Sequence, residues 1–474
     1  MKQPSPYFST TLDNGVQVMA ESFPTVQSVS IGFFFKSGVL YENPRQLGVS
    51  HFIEHMLFKG TTKRTAKDIA RQFDRIGGYL NAFTAKDYCC FYARVVRDKL
   101  PVAVEILADM VRDSQFDPSE FERERRVILE EIKMYEDSPD EIIHELLGQN
   151  LWRNASLGRP ILGTSQTVGA LDRDEVTDIY HSQFTTGNLL VCAAGNLDGH
   201  ALVRLLEKHL KNQRPGSFPT RRFRPVPTFE TTVYQKDIEQ VHLTLGTPAM
   251  SYGDPDRYAV TLLNTAFGGG MSSRLFQEIR EKRGLAYAVY SYHTSFRDTG
   301  LFSIYAGTSL EHLGRVLELI HFELERTRDK GLTRVELAEA KEQLKGNLLI
   351  ALESTTNRMN RLATGFLYDV APLTPEETIR PFLGVTADQI RAVAARLLDE
   401  RRLAMTIISP RGDVARILDR CPFTARPRTL NVTTPKVVPA VHGEPPAGPS
   451  PVEKRRTARK PAAPAGPATR KSRK

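Results

Sequence analysis

A Pro- and Arg-rich stretch, residues 214–227 (RPGSFPTRRFRPVP), interrupts the periodic pattern near the middle of the chain, and the segments on its two sides follow one order. Proline lacks an amide donor and breaks helices and ladders alike, so the stretch reads as a linker between halves of about 210 and 200 residues. Each half opens on strand-like runs, 16–21 and 29–35 in the first, 231–235 and 241–246 in the second. Helical segments follow at 48–58 and 257–267, then a second helix, two strands, and long amphipathic helices such as 118–136 and 333–353. Both halves close on a strand, 189–195 and 403–409, and a short helical piece. One α+β unit used twice accounts for this order: two homologous domains, each an antiparallel or mixed sheet with helices packed on one face. The expected division is 1–213, the linker 214–227, 228–425, and a tail 426–474.

The net charge of +9 is concentrated in that tail, where twelve Lys and Arg face only Glu444 and Glu453. The tail's balance of +10 leaves about −1 for residues 1–425, so the folded body is nearly neutral and gives no electrostatic reason to bind nucleic acid. The tail also holds ten of the 29 prolines, a composition that predicts a disordered, self-repelling extension able to touch nucleic acid or an acidic surface. The longest apolar run, 29–35, is far short of the ~18 residues of a membrane span. Cys89, Cys90, Cys192 and Cys421 form no CxxC pair and no disulfide framework, which suits a reducing compartment. With no secretory h-region or Arg-rich presequence at the N-terminus, the expected location is a bacterial cytoplasm.

The chemistry is concentrated in Gly48-Val-Ser-His-Phe-Ile-Glu-His-Met-Leu-Phe58. On a helix His51 and His55 project from one face, within reach of a single cation, and Glu54 lies close enough to act on a water bound to that cation. Two imidazoles and a carboxylate suit zinc with a fourth position for water, and H-x-x-E-H is the inverzincin pattern. A third ligand is required. Between Asp117-Pro118 and Ser138-Pro139 lies a helix of about 20 residues bearing Glu120, Glu122, Glu124, Glu130, Glu131 and Glu136. Two turns are about seven residues, so Glu124 and Glu131 share a face while Glu130 is rotated ~100° away. Val127, Ile128 and Ile132 lie in the same sector and are expected to turn both carboxylates inward, where each needs a metal, a cation or a donor. Glu120, Glu122 and Glu130 fit solvated pairs with Arg123, Arg125 and Arg126.

With these motifs in place the chain resembles the pitrilysin/insulinase-type zinc metallopeptidases, in particular mitochondrial processing peptidase and its bacterial relatives. The resemblance spans residues 8–420. In that family the metal motif is followed after about 75 residues by a glutamate ligand in a V-I-L-x-E context, and here Val127-Ile-Leu-Glu-Glu131 places Glu131 76 residues after His55. The resemblance implies one Zn2+ per chain held by His51, His55 and Glu131. It implies Glu54 as the base that activates the zinc-bound water, and Glu124 as a supporting carboxylate. Gly77-Gly-Tyr-Leu-Asn-Ala-Phe-Thr84 reads as a helix stop and a strand. In the family this edge strand receives the peptide substrate, which makes Asn81, Ala82 and Phe83 substrate-binding candidates. Arg280 and Tyr287 match a family Arg and Tyr seven apart that contact substrate and steady the oxyanion.

Residues 257–274 contain no His or Glu, so the second half carries no zinc helix, and Gly268–Gly270 lacks the spacing and lysine of a phosphate loop. His144, His209 and His242 form no second ligand spacing. The implied function is a zinc endopeptidase for unfolded peptides, working in a clamshell chamber formed by two identical chains or by this chain and an inactive homologue. The alternative is a peptide-binding or structural partner subunit of such a complex.

Overall fold

Two six-stranded mixed sheets carry the structure, one from each half. The computed structural model describes residues 6–217, 222–421, 423 and 427–430. The first sheet contains β1 (Tyr7–Thr11), β2 (Gln17–Ser22), β3 (Ser28–Phe35), β4 (Tyr79–Thr84), β5 (Cys89–Val96) and β6 (Leu189–Gly195) in the order β1-β2-β6-β3-β5-β4. The second contains β7 (Thr231–Gln235), β8 (Val241–Ala249), β9 (Ala286–Ser295), β10 (Gly300–Thr308), β11 (Ala404–Ser409) and β12 (Pro427–Leu430) in the order β12-β7-β11-β8-β10-β9. The order matches position for position. The pairs β2–β6 and β7–β11 are parallel, and the central pairs β3–β5, β3–β6, β8–β10 and β8–β11 are antiparallel. This is the duplicated α+β unit expected from the sequence.

The outermost strand differs between the sheets. In the first it is β1, antiparallel to β2; in the second it is β12, which runs parallel to β7. Neither strand belonged to the expected pattern, and β12 corrects the tail boundary, because the second sheet takes up four residues of the expected tail. Short edge strands lack the apolar periodicity that marks a strand covered on both faces. The rest of the tail lies outside the described residues, as do residues 218–221 of the linker. Two of the described linker residues are pinned: Arg214 stands 4.6 Å over the Tyr180 ring, and Phe223 is buried in a cluster with Trp152 and Phe296. Among the described residues no helix is long and apolar enough to cross a membrane.

Helices of each half cover one face of its own sheet, as expected. The other face is covered from the opposite half. Helix Thr355–Leu367 lays Met359, Leu362 and Ala363 on Phe34, Cys90 and Cys192 of the first sheet. Helix Pro139–Leu151 lays Ile142, Ile143, Leu146 and Leu147 on the second sheet, against Tyr305, Ile408 and Ala404. Burial on both faces explains why β6 (LLVCAAG) and β11 (AMTIIS) are buried throughout and read as continuous apolar runs. Each central strand has a glycine under the incoming helix. A Cβ at Gly32 would meet the Met359 methyl at 3.1 Å, and one at Gly246 would meet Leu147 Cδ2 at 2.8 Å. The buried Glu21 carboxylate of β2 accepts a hydrogen bond from Arg358 of the visiting helix, with Arg361 at 3.7 Å.

Filling the space under Leu147 tests this seating. Gly246→Val is expected to cost about 1–3 kcal/mol through overpacking, read as a lower thermal unfolding midpoint. An unchanged midpoint would show that helix Pro139–Leu151 does not press on β8.

Candidate metal centre

Helix Val49–Met56 starts from Gly48 at φ +93, a left-handed conformation in which a Cβ would meet the Leu162 carbonyl at 2.6 Å. The first turn is capped from a distance: the buried Glu42 carboxylate accepts the Gly48 and Ser50 N–H groups, both at 2.9 Å. Burial raises the Glu42 pKa, to about 7, against the pull of these two bonds. Phe52, Ile53 and Met56 anchor the helix in the core, and His51 and His55 leave it on one face with ring centroids 4.6 Å apart.

Helix Pro118–Glu136 supplies the facing carboxylates. Asp117 caps it by accepting the Ser119 and Glu120 N–H groups, and Phe121, Glu124, Ile128 and Ile132 form its buried stripe. Val127 does not belong to that stripe as expected. It is 46% exposed, because one residue back along a helix is a ~100° rotation away from Ile128. Glu130 and Glu122 pair at the surface with Lys133 and Arg125.

The two helices bring three ligand atoms together. Glu131 Oε2 lies 3.8 Å from His51 Nε2 and 3.5 Å from His55 Nε2, and His51, His55 and Glu131 each offer an atom within 4.8 Å of the others. Donors about 2.0–2.2 Å from a tetrahedral zinc ion are about 3.3–3.6 Å apart, so the set fits zinc with little movement. Among the described residues no other group of His, Cys, Asp and Glu converges in this way.

Glu124 sits one layer out. Its Oε2 is 3.0 Å from His55 Nδ1 and its Oε1 accepts from Lys59 Nζ at 2.8 Å. A carboxylate on Nδ1 would hold the proton there and leave the Nε2 lone pair for a metal ion. Burial opposes charge on both partners. Even so, Glu124 is held below its ordinary pKa by His55 and Lys59, and the Glu124 and Glu131 carboxylates hold His55 up at about 9.

Glu54 is held from the sheet: the Thr84 hydroxyl at the end of β4 donates to its Oε2 at 2.6 Å. β4 is an open edge of the first sheet, as expected. Of the three residues expected to hold substrate, Asn81 donates to the Tyr79 hydroxyl at 2.7 Å and accepts the Ala82 N–H at 2.9 Å. The Phe83 ring lies edge-on to Tyr88 and Tyr92. Sequence reasoning missed both Lys59 and Thr84. Lys59 lies in the turn just after the helix ends at Met56, where helical spacing no longer applies, and only the strand placement reveals Thr84.

Arg280 and Tyr287 lie in the second half, with the guanidinium 5.5 Å from the Tyr287 ring centroid and 4.8 Å from that of Phe276. Both stand on irregular backbone. Arg280 belongs to the π-helical turn Phe276–Glu281. Tyr287 is the extra residue of a β-bulge, since Ala286 pairs with Thr308 and Ala288 with Gly307. Such irregularities re-aim side chains, and Tyr287 is 78% exposed.

A duplicated α+β chain with one His-x-x-Glu-His centre defines a metallopeptidase-type protein. Residues 17–165 match the family model described as insulinase (peptidase family M16), and residues 170–344 match the one described as peptidase M16 inactive domain. A Bacillus subtilis protein named uncharacterized zinc protease YmxG is 40% identical over 404 residues, 85% of this chain and 98% of its own. An uncharacterized zinc protease of Streptomyces coelicolor is 40% identical over 414 residues, 85% of this chain and 90% of its own. The chain belongs to the M16, or insulinase, family of peptidases. The fold is shared with two solved structures. One is a peptidase M16 inactive domain from Pseudomonas fluorescens (TM-score 0.80, 21% identity, 86% of this chain and 98% of that one). The other is a Helicobacter pylori protease (TM-score 0.78, 20% identity, 85% and 99%).

Glu124→Gln keeps the shape of the side chain and removes its charge. Zinc affinity, measured by chelator competition, is expected to fall about 10–100-fold with the fold intact by circular dichroism. Unchanged affinity would show that Glu124 does not support His55.

Proposed function

We propose that this chain is a zinc-dependent endopeptidase that hydrolyses unfolded peptides or short polypeptides. The observation that carries the proposal is the convergence of His51, His55 and Glu131 beside a glutamate, Glu54, that is steadied from an open edge strand. Zinc held by these three side chains supplies a Lewis acid for the scissile carbonyl and brings the pKa of water toward ~7. Glu54 takes the proton from the attacking water and later hands it to the leaving amine, and the Thr84 hydroxyl keeps that carboxylate in one orientation. The peptide adds to β4 main chain to main chain along Asn81, Ala82 and Phe83, so recognition needs an extended substrate rather than a particular side chain. Arg280 and Tyr287 donate to substrate and to the developing oxyanion.

The first half carries the metal set and the second carries Arg280 and Tyr287, so one chain is half of a chamber. Two chains paired as a clamshell, identical or one of them an inactive homologue, close it and exclude folded proteins by size. The match to the inactive domain, which falls on the second half, supports one zinc per chain. A peptide-binding partner subunit without catalysis needs no complete set of His51, Glu54, His55 and Glu131, which favours the enzyme. Bacterial relatives and four free cysteines support the bacterial cytoplasm as the place of action.

Glu54→Gln is expected to lower kcat on a quenched peptide by at least about 10²–10⁴-fold while metal analysis still finds one zinc per chain. Full activity with zinc bound would remove Glu54 from its role. Light scattering on the wild-type protein should give twice the chain mass, and an active strict monomer would contradict the clamshell.

A further inference from the structure

One helix bonds, through consecutive side chains, the edge strand β9 of the second sheet and the turn that follows the edge strand β4 of the first. Helix Pro139–Leu151 follows the Glu131 helix after only Asp137 and Ser138, and Lys236 Nζ bonds the Glu136 carbonyl at that joint at 2.8 Å. Its His144 places Nδ1 2.9 Å from the Tyr292 hydroxyl and Nε2 3.1 Å from the Tyr290 hydroxyl. Tyr290 and Tyr292 are alternate residues of β9, so they share a face, and Tyr287 stands on the bulge at the start of that strand. Burial lowers the His144 pKa to about 4, so its neutral ring offers one donor and one acceptor, and each hydroxyl takes the complementary role. The next residue, Glu145, receives Lys86 Nζ on both carboxylate oxygens at 3.1 Å, while the same ammonium bonds the Arg159 carbonyl at 2.6 Å. Lys86 is two residues after Thr84, the residue that steadies Glu54. An edge strand has only one neighbour, and a bulge weakens its ladder further. These ties add to the β ladders and to the Thr84–Glu54 bond a further connection from Tyr287 and Thr84 to the helix that follows Glu131.

We propose that helix Pro139–Leu151 is a yoke, with His144 and Glu145 as positioning residues that hold Tyr287 on one edge and Thr84–Glu54 on the other against the Glu131 helix. The catalytic consequence rests on the peptidase reading above; the mechanical one does not.

His144→Phe keeps the ring and removes both hydrogen bonds; Glu145→Gln keeps the length and removes the charge. In the zinc-loaded full chain each is expected to lower kcat on a quenched peptide on the order of ten- to a hundredfold, with little change in KM or zinc content. A positioning residue acts through its client. His144→Phe should therefore cost nothing further in a Tyr287→Phe background, and Glu145→Gln nothing further in a Thr84→Val background. Losses that multiply fully in those backgrounds, or single variants as active as wild type, would overturn the yoke. Hydrogen–deuterium exchange tests the mechanical claim without any activity: the amides of 286–295 that bond β10 should exchange faster in His144→Phe while those of β8, which has no ladder to β9, do not. Unchanged exchange in β9 would overturn the tether. If Tyr287→Phe alone is as active as wild type, the role of Tyr287 fails instead, and the exchange result decides the yoke.

Discussion

Each sheet buries its second face under a helix that belongs to the other half. Met359 and Leu362 seal the first sheet and Leu146 and Leu147 seal the second, so neither half has a complete core alone. A sheet with one apolar face open to water cannot be an end point. The two halves are therefore one folding unit despite their linker, and the buried Glu21–Arg358 pair crosses the same contact. The candidate site shares this geometry, because the helix that seals the second sheet follows the one that carries Glu131 after only two residues.

The metal centre is organised as a balance of charges, with His51 buried and His55 and Glu131 partly exposed. Glu124 is nearly buried, which costs free energy unless it is paired, and it meets His55 on one oxygen and Lys59 on the other. His51 and His55 come from a helix whose first turn is fixed by Glu42 from outside the helix. The histidines thus arrive from a helix whose start is constrained and whose apolar face is buried, and Glu131 meets them from a helix packed through Phe121, Ile128 and Ile132. Ligands held in this way need little reorganisation to close on an ion.

The second half keeps the strand order of the first and lacks the metal residues, yet its edge strand and the turn before it are irregular where Arg280 and Tyr287 stand. Duplication followed by divergence leaves such a pattern: one copy carries the converging His51, His55 and Glu131 and the other an irregular edge. A π-helical turn and a bulge each cost backbone hydrogen bonding, and they persist because the packed sheet beneath them is over-determined.

Much of this was legible in the residues themselves. Local periodicity reveals strands buried on both faces and helices with an apolar stripe, so β3, β6, β8, β11 and the Glu131 helix could be read directly. Helical spacing alone put His51 beside His55 and Glu124 beside Glu131, because contacts within one helix depend only on residue number. The edge strands β1 and β12 carry no such pattern, and Val127 was assigned to the wrong face because neighbouring sectors of a helix merge where apolar residues are adjacent. Only the tertiary structure could decide which helix covers which sheet, that Thr84 reaches Glu54, and that His144 and Glu145 reach β9 and the turn after β4. Those contacts join residues far apart in the chain, and their geometry is set by the packing of whole elements, which no local rule of spacing encodes.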